Sequence, residues 1–378
     1  MPDVLIAGAG PAGAIAALVL ARAGARVTLL DRTTFPRDKL CGDTVNPGAL
    51  AILRRLGIAD VASGGLAVDG MVVTGDSGVR CEARYGGGLH GRALRRCALD
   101  VALLTAARRA GAAVEEGVLV RGPVVDGDTV RGLIVATARQ RECRISAPIV
   151  IAADGSGSRV ARALGLAAYA ARPRRWAVGA YFSDVDHEHG GCFGEMHVRR
   201  GRYIGVAPLP GGFTNACVVT ADRHALRDPS ALLLDAVTRE PMLAARFAAA
   251  RMLSRPVTLG PLAVTSRAAG APGLLLAGDA AGFVDPMTGD GLRFAFRGGE
   301  LAAGVALWAL EHGRTRMERR LTALRRREFA AKWRFDRALR ALVASPAAVR
   351  VAGAGARLAP TVLARMIRYA GDVSAAVT

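Results

Sequence analysis

The sequence predicts an α/β fold, with a parallel-sheet domain interleaved with a smaller antiparallel-sheet domain, plus C-terminal helices. Three observations predict it. Residues 4–7 and 27–30 are short apolar runs separated by a glycine turn and a helix-favouring stretch, the pattern of a strand–helix–strand unit. Two later apolar runs, 149–153 and 274–277, each lead into a pairing of glycine with aspartate. Between them, residues 175–185 and 192–221 alternate as half-buried strands do, with Pro210-Gly211-Gly212 as a turn.

The chain has 378 residues, 51% of them hydrophobic, enough for two domains that share a ligand and too many for a disordered chain. The motif positions divide it into residues 1–65, 88–168 and 266–312 for the larger domain and 66–87 and 169–265 for the smaller. Residues 313–378 form the C-terminal helical region. Apolar runs stop well short of the ~20 residues that span a bilayer. No charged leader precedes the first strand, and a cytoplasmic protein is expected. The cysteines Cys41, Cys81, Cys97, Cys143, Cys192 and Cys217 are scattered, which reads as free thiols and gives no metal site. The net charge of +19 is almost all arginine, Lys39 and Lys332 being the two lysines. No tract interleaves these arginines with stacking aromatics, so nucleic acid is not expected as a partner.

The N-terminal segment supplies the first chemistry. Gly8-Ala9-Gly10-Pro11-Ala12-Gly13 fills G-x-G-x-x-G between strand and helix. Gly8 permits the tight turn, Gly10 lets a pyrophosphate reach the backbone, and Gly13 allows close packing of helix on strand. The helix N-terminus presents free N–H groups to the phosphates. Asp31, at the end of the second strand, is placed to accept from both ribose hydroxyls, which disfavours a 2′-phosphate. This unit binds a dinucleotide and does not by itself separate NAD from FAD.

Two later stretches separate them. Asp154-Gly155 follows the strand 149–153, and a helix then opens at Ser156 or Ser158. Gly278-Asp279 ends the strand 274–277, at the edge where an open parallel sheet binds ligands. A carboxylate at Asp279 suits the hydroxyls of a ribityl chain. Gly289-Asp290-Gly291-Leu292 begins a helix whose N–H groups would face the negative edge of a reduced flavin, and Pro286 forms a stiff wall beside the ring. Nicotinamide has no ribityl tail, so the cofactor expected is FAD on a Rossmann-type FAD-binding domain, with NAD(P)H as transient reductant.

These motifs, in this order over roughly residues 3–310, resemble the flavoprotein family of p-hydroxybenzoate hydroxylase and geranylgeranyl reductase. The resemblance implies that Gly8, Gly10, Pro11, Ala12, Gly13, Asp31 and Arg32 hold ADP, that Asp154 and Gly155 support the pyrophosphate region, and that Gly278 and Asp279 hold the ribityl chain. Arg96-Cys97-Ala98-Leu99-Asp100 looks like the start of the family's R-x-x-[FL]-D-x-x-L helix, which makes Arg96 an FAD contact and the Val120 backbone an adenine contact. Lys39-Leu40-Cys41-Gly42 is similar to the K-x-C-G segment of the reductase branch. It implies that Cys41 and Gly42 lie beside the flavin and that Arg37 and Lys39 neutralise the pyrophosphate. Cys41, with Pro286, Gly289 and Gly291, is the catalytic candidate, and its alternative is a small buried cysteine. The W-x-W-x-I-P signature of flavin-dependent halogenases is absent.

The alternating middle segment suits a sheet roofing the flavin, with Tyr181, Phe193, Tyr203 and Pro208 as substrate-pocket candidates. The segment from Tyr203 to Pro208 keeps the tyrosine and proline of the reductase branch and lacks its two other aromatics. Three functions follow: a reductase of carbon–carbon double bonds on a hydrophobic small molecule, an aromatic monooxygenase acting on a phenolic or polyketide substrate, or a flavin- or lipid-binding protein without turnover. His187 and His189 lie in a polar turn and are not expected to bind metal. The basic helix from Arg314 to Leu342 caps the enzyme's flank or, alternatively, rests on the inner face of the membrane. The sequence leaves the oligomeric state open.

Overall fold

Val4–Ala7, Ile149–Ala152 and Leu274–Leu276 are apolar at every position because each is buried on both faces of one sheet. The computed structural model describes residues 1–169, 174–187, 192–345, 348, 351, 355 and 359–372. The six strands of this sheet lie in the order Gly270–Ala271, Leu274–Leu276, Ile149–Ala152, Val4–Ala7, Val27–Asp31, Ala113–Glu116. All pairs are parallel except that of the short edge strand Gly270–Ala271. In register, Ala7 stands between Leu30 and Ala152, and Ala152 beside Leu276. The turns that follow these strands therefore emerge side by side at one edge.

Helix Pro11–Arg22 packs on this sheet against the long helix Gly291–His312. Their approach is unusually close: a Cβ on Gly299 would stand 2.3 Å from the Ala12 carbonyl oxygen. That contact explains a glycine inside a helix, where it costs roughly 1 kcal/mol relative to alanine. The other face of the sheet is covered by the meander Leu119–Asp126, Thr129–Ala136, Cys143–Ser146.

The second sheet has eight strands, antiparallel except where Phe193–Arg199 runs parallel to Gly70–Gly75. Alternation divides its faces. Val178, Phe182, Ile204, Val206 and Val218 pack on helix Pro229–Thr238. Ala177, Tyr203, Val219 and Met196 point the other way, toward the first domain. Asn46, Ser158 and Asp228 each cap a helix by accepting an N–H from three residues on.

Helix Met317–Ala344 does more than cap a flank. Met317 and Leu321 are buried in the first core, while Leu339 and Leu342 pack against the inward face of the second sheet. Helix Pro360–Ala370 lays Ile367 on Cys81 and Ala83. Among the described residues, no helix is long and apolar enough to cross a membrane.

Candidate functional site

The edge of the parallel sheet, the inward face of the second sheet and the two C-terminal helices enclose a cavity of about 680 Å³. Its walls differ along its length. One end is backbone and charge: Gly10, Pro11, Ala12, Lys39, Gly155 and Asp279. The other is apolar, with Met71, Val73, Met196, Leu262, Leu339 and Met366. Cys41, Gly42, Pro286, Gly289, Gly291 and Leu292 also line it, as do the polar Thr44, Asn46, Thr74 and Glu195. The sequence-expected positions of all three motifs thus meet in one space.

The glycine loop is built by contacts that exclude side chains. Gly8 has φ +95°, and a Cβ there would lie 2.5 Å from the Ala153 carbonyl oxygen. A Cβ on Gly13 would lie 1.9 Å from the Gly8 carbonyl oxygen. Gly10 is different: the nearest group to its missing Cβ is the Arg37 guanidinium at 3.5 Å, and it lines the cavity. Gly8 and Gly13 shape the loop, whereas Gly10 keeps its inner surface clear.

The charges fit a pyrophosphate. The Lys39 ammonium lines the cavity and has no hydrogen bond or ion pair among the described residues. Burial, with the nearby Arg96 and Arg37 charges, lowers its pKa. A cation held so has its counter-charge in a bound anion. Asp279 lines the same cavity, and its carboxylate has no hydrogen-bond partner among the described residues. Arg96 is buried and makes a bidentate pair with Asp100, at 3.0 and 3.1 Å, and reaches the Cys41 sulfur. FAD fits these residues: Gly10, Lys39 and Gly155 at the diphosphate, and Asp279 at the ribityl hydroxyls.

Asp31 corrects one expectation. Its Oδ2 accepts from the Ala9 N–H at 2.8 Å, and its Oδ1 from the Thr33 N–H and hydroxyl at 2.9 and 2.7 Å. Of about four acceptor positions on a carboxylate, roughly one is left for a ribose hydroxyl, not two. Asp154 likewise works on the fold: Oδ2 accepts from the Arg159 N–H, and burial raises its pKa.

A buried polar cluster behind Cys41 is absent from the sequence reading. Asp43 is fully buried, accepts from the Arg96 N–H at 3.0 Å, and is bonded by the side chains of Asn215 and Tyr181. Asn215 also donates to the Cys41 carbonyl at 2.7 Å. Burial pushes the Asp43 carboxyl up to about 6, although these hydrogen bonds oppose the shift. The cluster fixes the Cys41–Gly42 backbone against the second sheet.

The glycine turn at 289–291 is fixed from the other side. Asp290 was expected at the cofactor. Instead its carboxylate is buried between the Lys332 ammonium at 3.2 Å and the Asn46 amide at 3.0 Å, and it does not line the cavity. Asp336 is 2% exposed, beside Asp290, Lys332 and the Thr288 hydroxyl. Burial and then the Asp290 charge push it up to about 7. Its folded value lies above the unfolded ~3.9, so between about pH 4 and 7 the unfolded chain loses this proton first and Asp336 lowers stability as pH rises. An Asp336→Asn variant should therefore gain stability relative to wild type from pH 4.5 to 8, by on the order of a few kcal/mol. Urea unfolding at the two pH values measures this, and an unchanged difference would refute it.

Tyr203 lines the cavity, but its hydroxyl donates to Asp285 at 2.6 Å, and Asp285 caps the Pro286 turn by accepting from the Met287 N–H at 3.1 Å. Tyr203 therefore holds the Pro286 turn, with its hydroxyl turned away from any ligand. Tyr181, Phe193 and Pro208 do not line the cavity: Tyr181 bonds Asp43, and Phe193 lies under the Arg84 guanidinium. Arg32 is exposed, and Val120 is buried in the meander. His187 shares a hydrogen bond with the Thr214 hydroxyl, while His189 lies outside the described residues.

Comparisons with known proteins show the family and the fold. A model of the FAD binding domain family matches residues 1–338. The chain is 28% identical to a menaquinone reductase of Mycolicibacterium smegmatis, over 98% of its own length and 91% of that protein's. It is 32% identical to a digeranylgeranylglycerophospholipid reductase of Methanothermobacter thermautotrophicus, over 82% of its length and 78% of the relative's. It is also 29% identical to the conditioned medium factor receptor 1 of Dictyostelium discoideum, of which it spans 62%. The solved structure of a geranylgeranyl bacteriochlorophyll reductase-like protein from Thermoplasma acidophilum superposes with a TM-score of 0.78 at 25% identity, covering 91% of this chain and 87% of that one. The chain thus belongs to the FAD binding domain family and is an FAD-dependent oxidoreductase, and the cavity gathers the residues that would hold that cofactor: the glycine loop, Lys39 and the Gly278-Asp279 turn.

Proposed function

We propose that the protein reduces a carbon–carbon double bond in a hydrophobic substrate, with NAD(P)H as the source of electrons. The observation that carries this reading is the change of wall along one cavity, from the charged cofactor end to a chamber of methionine and leucine side chains. Bound FAD supplies the hydride chemistry. The residues do the rest: Met71, Val73, Met196 and Leu339 exclude water and accept an apolar chain, and Pro286 and Gly289 set the wall beside the ring. Cys41, next to the Arg96 guanidinium, is the candidate proton donor. Two relatives are reductases named for a quinone and for a polyprenyl phospholipid, which supports a lipid-like substrate.

The second reading, hydroxylation of a phenolic ring, draws on Gly205 and Ala207, which leave the cavity floor without the aromatics expected of the reductase branch. Peripheral contact with an anionic membrane belongs to the first reading. Val362 lines the cavity and is 54% exposed, on a helix that also exposes Arg365 and Arg368.

One experiment tests these points. A polyprenyl quinone is presented in anionic vesicles to the enzyme with NADH or NADPH, and the product is read by mass. Reduction of the double bond predicts a gain of two hydrogens, without oxygen, that persists after the ring is re-oxidised to the quinone, at a rate that falls several-fold as salt screens the vesicle surface. A product that gains an oxygen atom and requires dioxygen would replace this reading with the second.

A further inference from the structure

Two tyrosines line the cavity with their rings buried, and Tyr203 has a carboxylate partner in Asp285, as Tyr181, outside the lining, has in Asp43. The other lining tyrosine, Tyr85, is 4% exposed, and its hydroxyl makes no hydrogen bond to any described residue. A buried phenol ordinarily finds a partner. The position of this one is fixed by packing. A Cβ on Gly371 would stand 2.4 Å from its ring, and one on Gly91 3.5 Å from the opposite ring edge. The Tyr85 N–H donates to the Asp69 carbonyl at 2.9 Å, which anchors the backbone. Gly91 also abuts the Val45 carbonyl, so the ring lies beside the Thr44–Asn46 segment that follows Cys41-Gly42.

We propose that the Tyr85 hydroxyl donates a hydrogen bond to a carbonyl or quinone-type oxygen of an otherwise apolar substrate, and so decides which end of that molecule reaches the Cys41–Gly42 side of the cavity. The inference rests on the reading of the cavity as the site of an apolar substrate. Met71, Val73, Met196 and Ile367 give the cavity apolar wall for the rest of such a molecule, while the polar Thr44 and Asn46 line it on the side next to the ring. Burial, followed by the Asp290 charge, raises the pKa of the phenol. It is therefore a neutral donor throughout the physiological range, not a base. An oxygen at this point replaces cavity water with a fixed partner, whereas a pure hydrocarbon leaves the hydroxyl unsatisfied.

The test uses the FAD-loaded protein, wild type and Tyr85→Phe, with two probes: a prenylated 1,4-naphthoquinone and the matching prenyl hydrocarbon. Binding is read by quenching of flavin fluorescence. The quinone should bind ~10-fold more weakly to the variant, and the hydrocarbon equally well to both proteins. Equal quinone affinities would overturn the inference and leave the apolar-substrate reading standing. If wild type bound neither probe, that reading would fall and this inference with it. Should Tyr85→Phe lose both ligands through a packing defect, the wild-type protein still decides. The carbonyl stretch of an isotope-labelled quinone should move to lower frequency on binding, and an unshifted band would overturn the assignment.

Discussion

Gly13→Ala should yield a protein that purifies without flavin and is less stable by ~3 kcal/mol or more, whereas Gly10→Ala should lose flavin affinity and keep its stability. The two glycines occupy one loop, yet the structure gives them different duties. A methyl group on Gly13 meets the Gly8 carbonyl oxygen at 1.9 Å, with the Ala153 side chain at 3.4 Å behind it. Backbone on backbone has no rotamer to yield, so strand and helix must separate. A methyl group on Gly10 meets only the end of the flexible Arg37 side chain and enters the space of the cofactor. Urea unfolding of the apoproteins and titration with FAD separate the two effects. If Gly13→Ala retained both stability and flavin, the loop geometry described here would be wrong.

Lys332→Met should cost ~3–5 kcal/mol near neutral pH, the range observed when one partner of a buried pair is removed. The Lys332 side chain is 5% exposed, lies 3.2 Å from the Asp290 carboxylate and 3.9 Å from that of Asp372, and donates to the Tyr369 and Ala370 carbonyls. Without it, two helix-end carbonyls lose their donor, and the buried Asp290 carboxylate keeps the Asn46 amide but no cation in contact. The deficit should shrink as pH falls, because Asp290, already pushed up to about 6 by burial, needs no counter-charge once protonated. Added salt should restore little, since the pair is out of reach of the ionic atmosphere. A Lys332→Met/Asp290→Asn double variant should recover part of the loss. A single variant as stable as wild type at neutral pH would show that the terminal helix does not depend on this ammonium.

The parts of the site that the sequence discloses are those written in backbone. The G-x-G-x-x-G loop, Asp154-Gly155 and Gly278-Asp279 are legible because tight turns and close approaches demand glycine at fixed offsets. The Asp43–Asn215 contact joins residues 172 positions apart, and neither local stretch announces it. Two signals were nonetheless there to be used. Tyr203 and Pro208 are five residues apart on one strand, so alternation alone forbids both from facing one cavity. In a chain whose cations are nearly all arginine, a lysine at 332 marks a place where a compact, three-donor ammonium fits and a planar guanidinium does not. Gly299, in the middle of a helix, reports in the same way on its close crossing with Ala12, while Gly298 beside it makes room for the Arg325 guanidinium.

The cavity draws its walls from residues between Gly10 and Gly371, on the parallel-sheet edge, the second sheet and the C-terminal helices. Such a space exists in no partial product of synthesis. A ribosome delivering the chain from its N-terminus completes the glycine loop early, but the opposing walls appear only after some three hundred residues more. Flavin uptake is therefore a late, nearly post-translational event. A ligand filling a cavity walled by both sheets and the C-terminal helices would add its binding energy to the unfolding of the whole body at once. Saturating FAD should then raise the urea midpoint of the whole protein above that of the apoprotein.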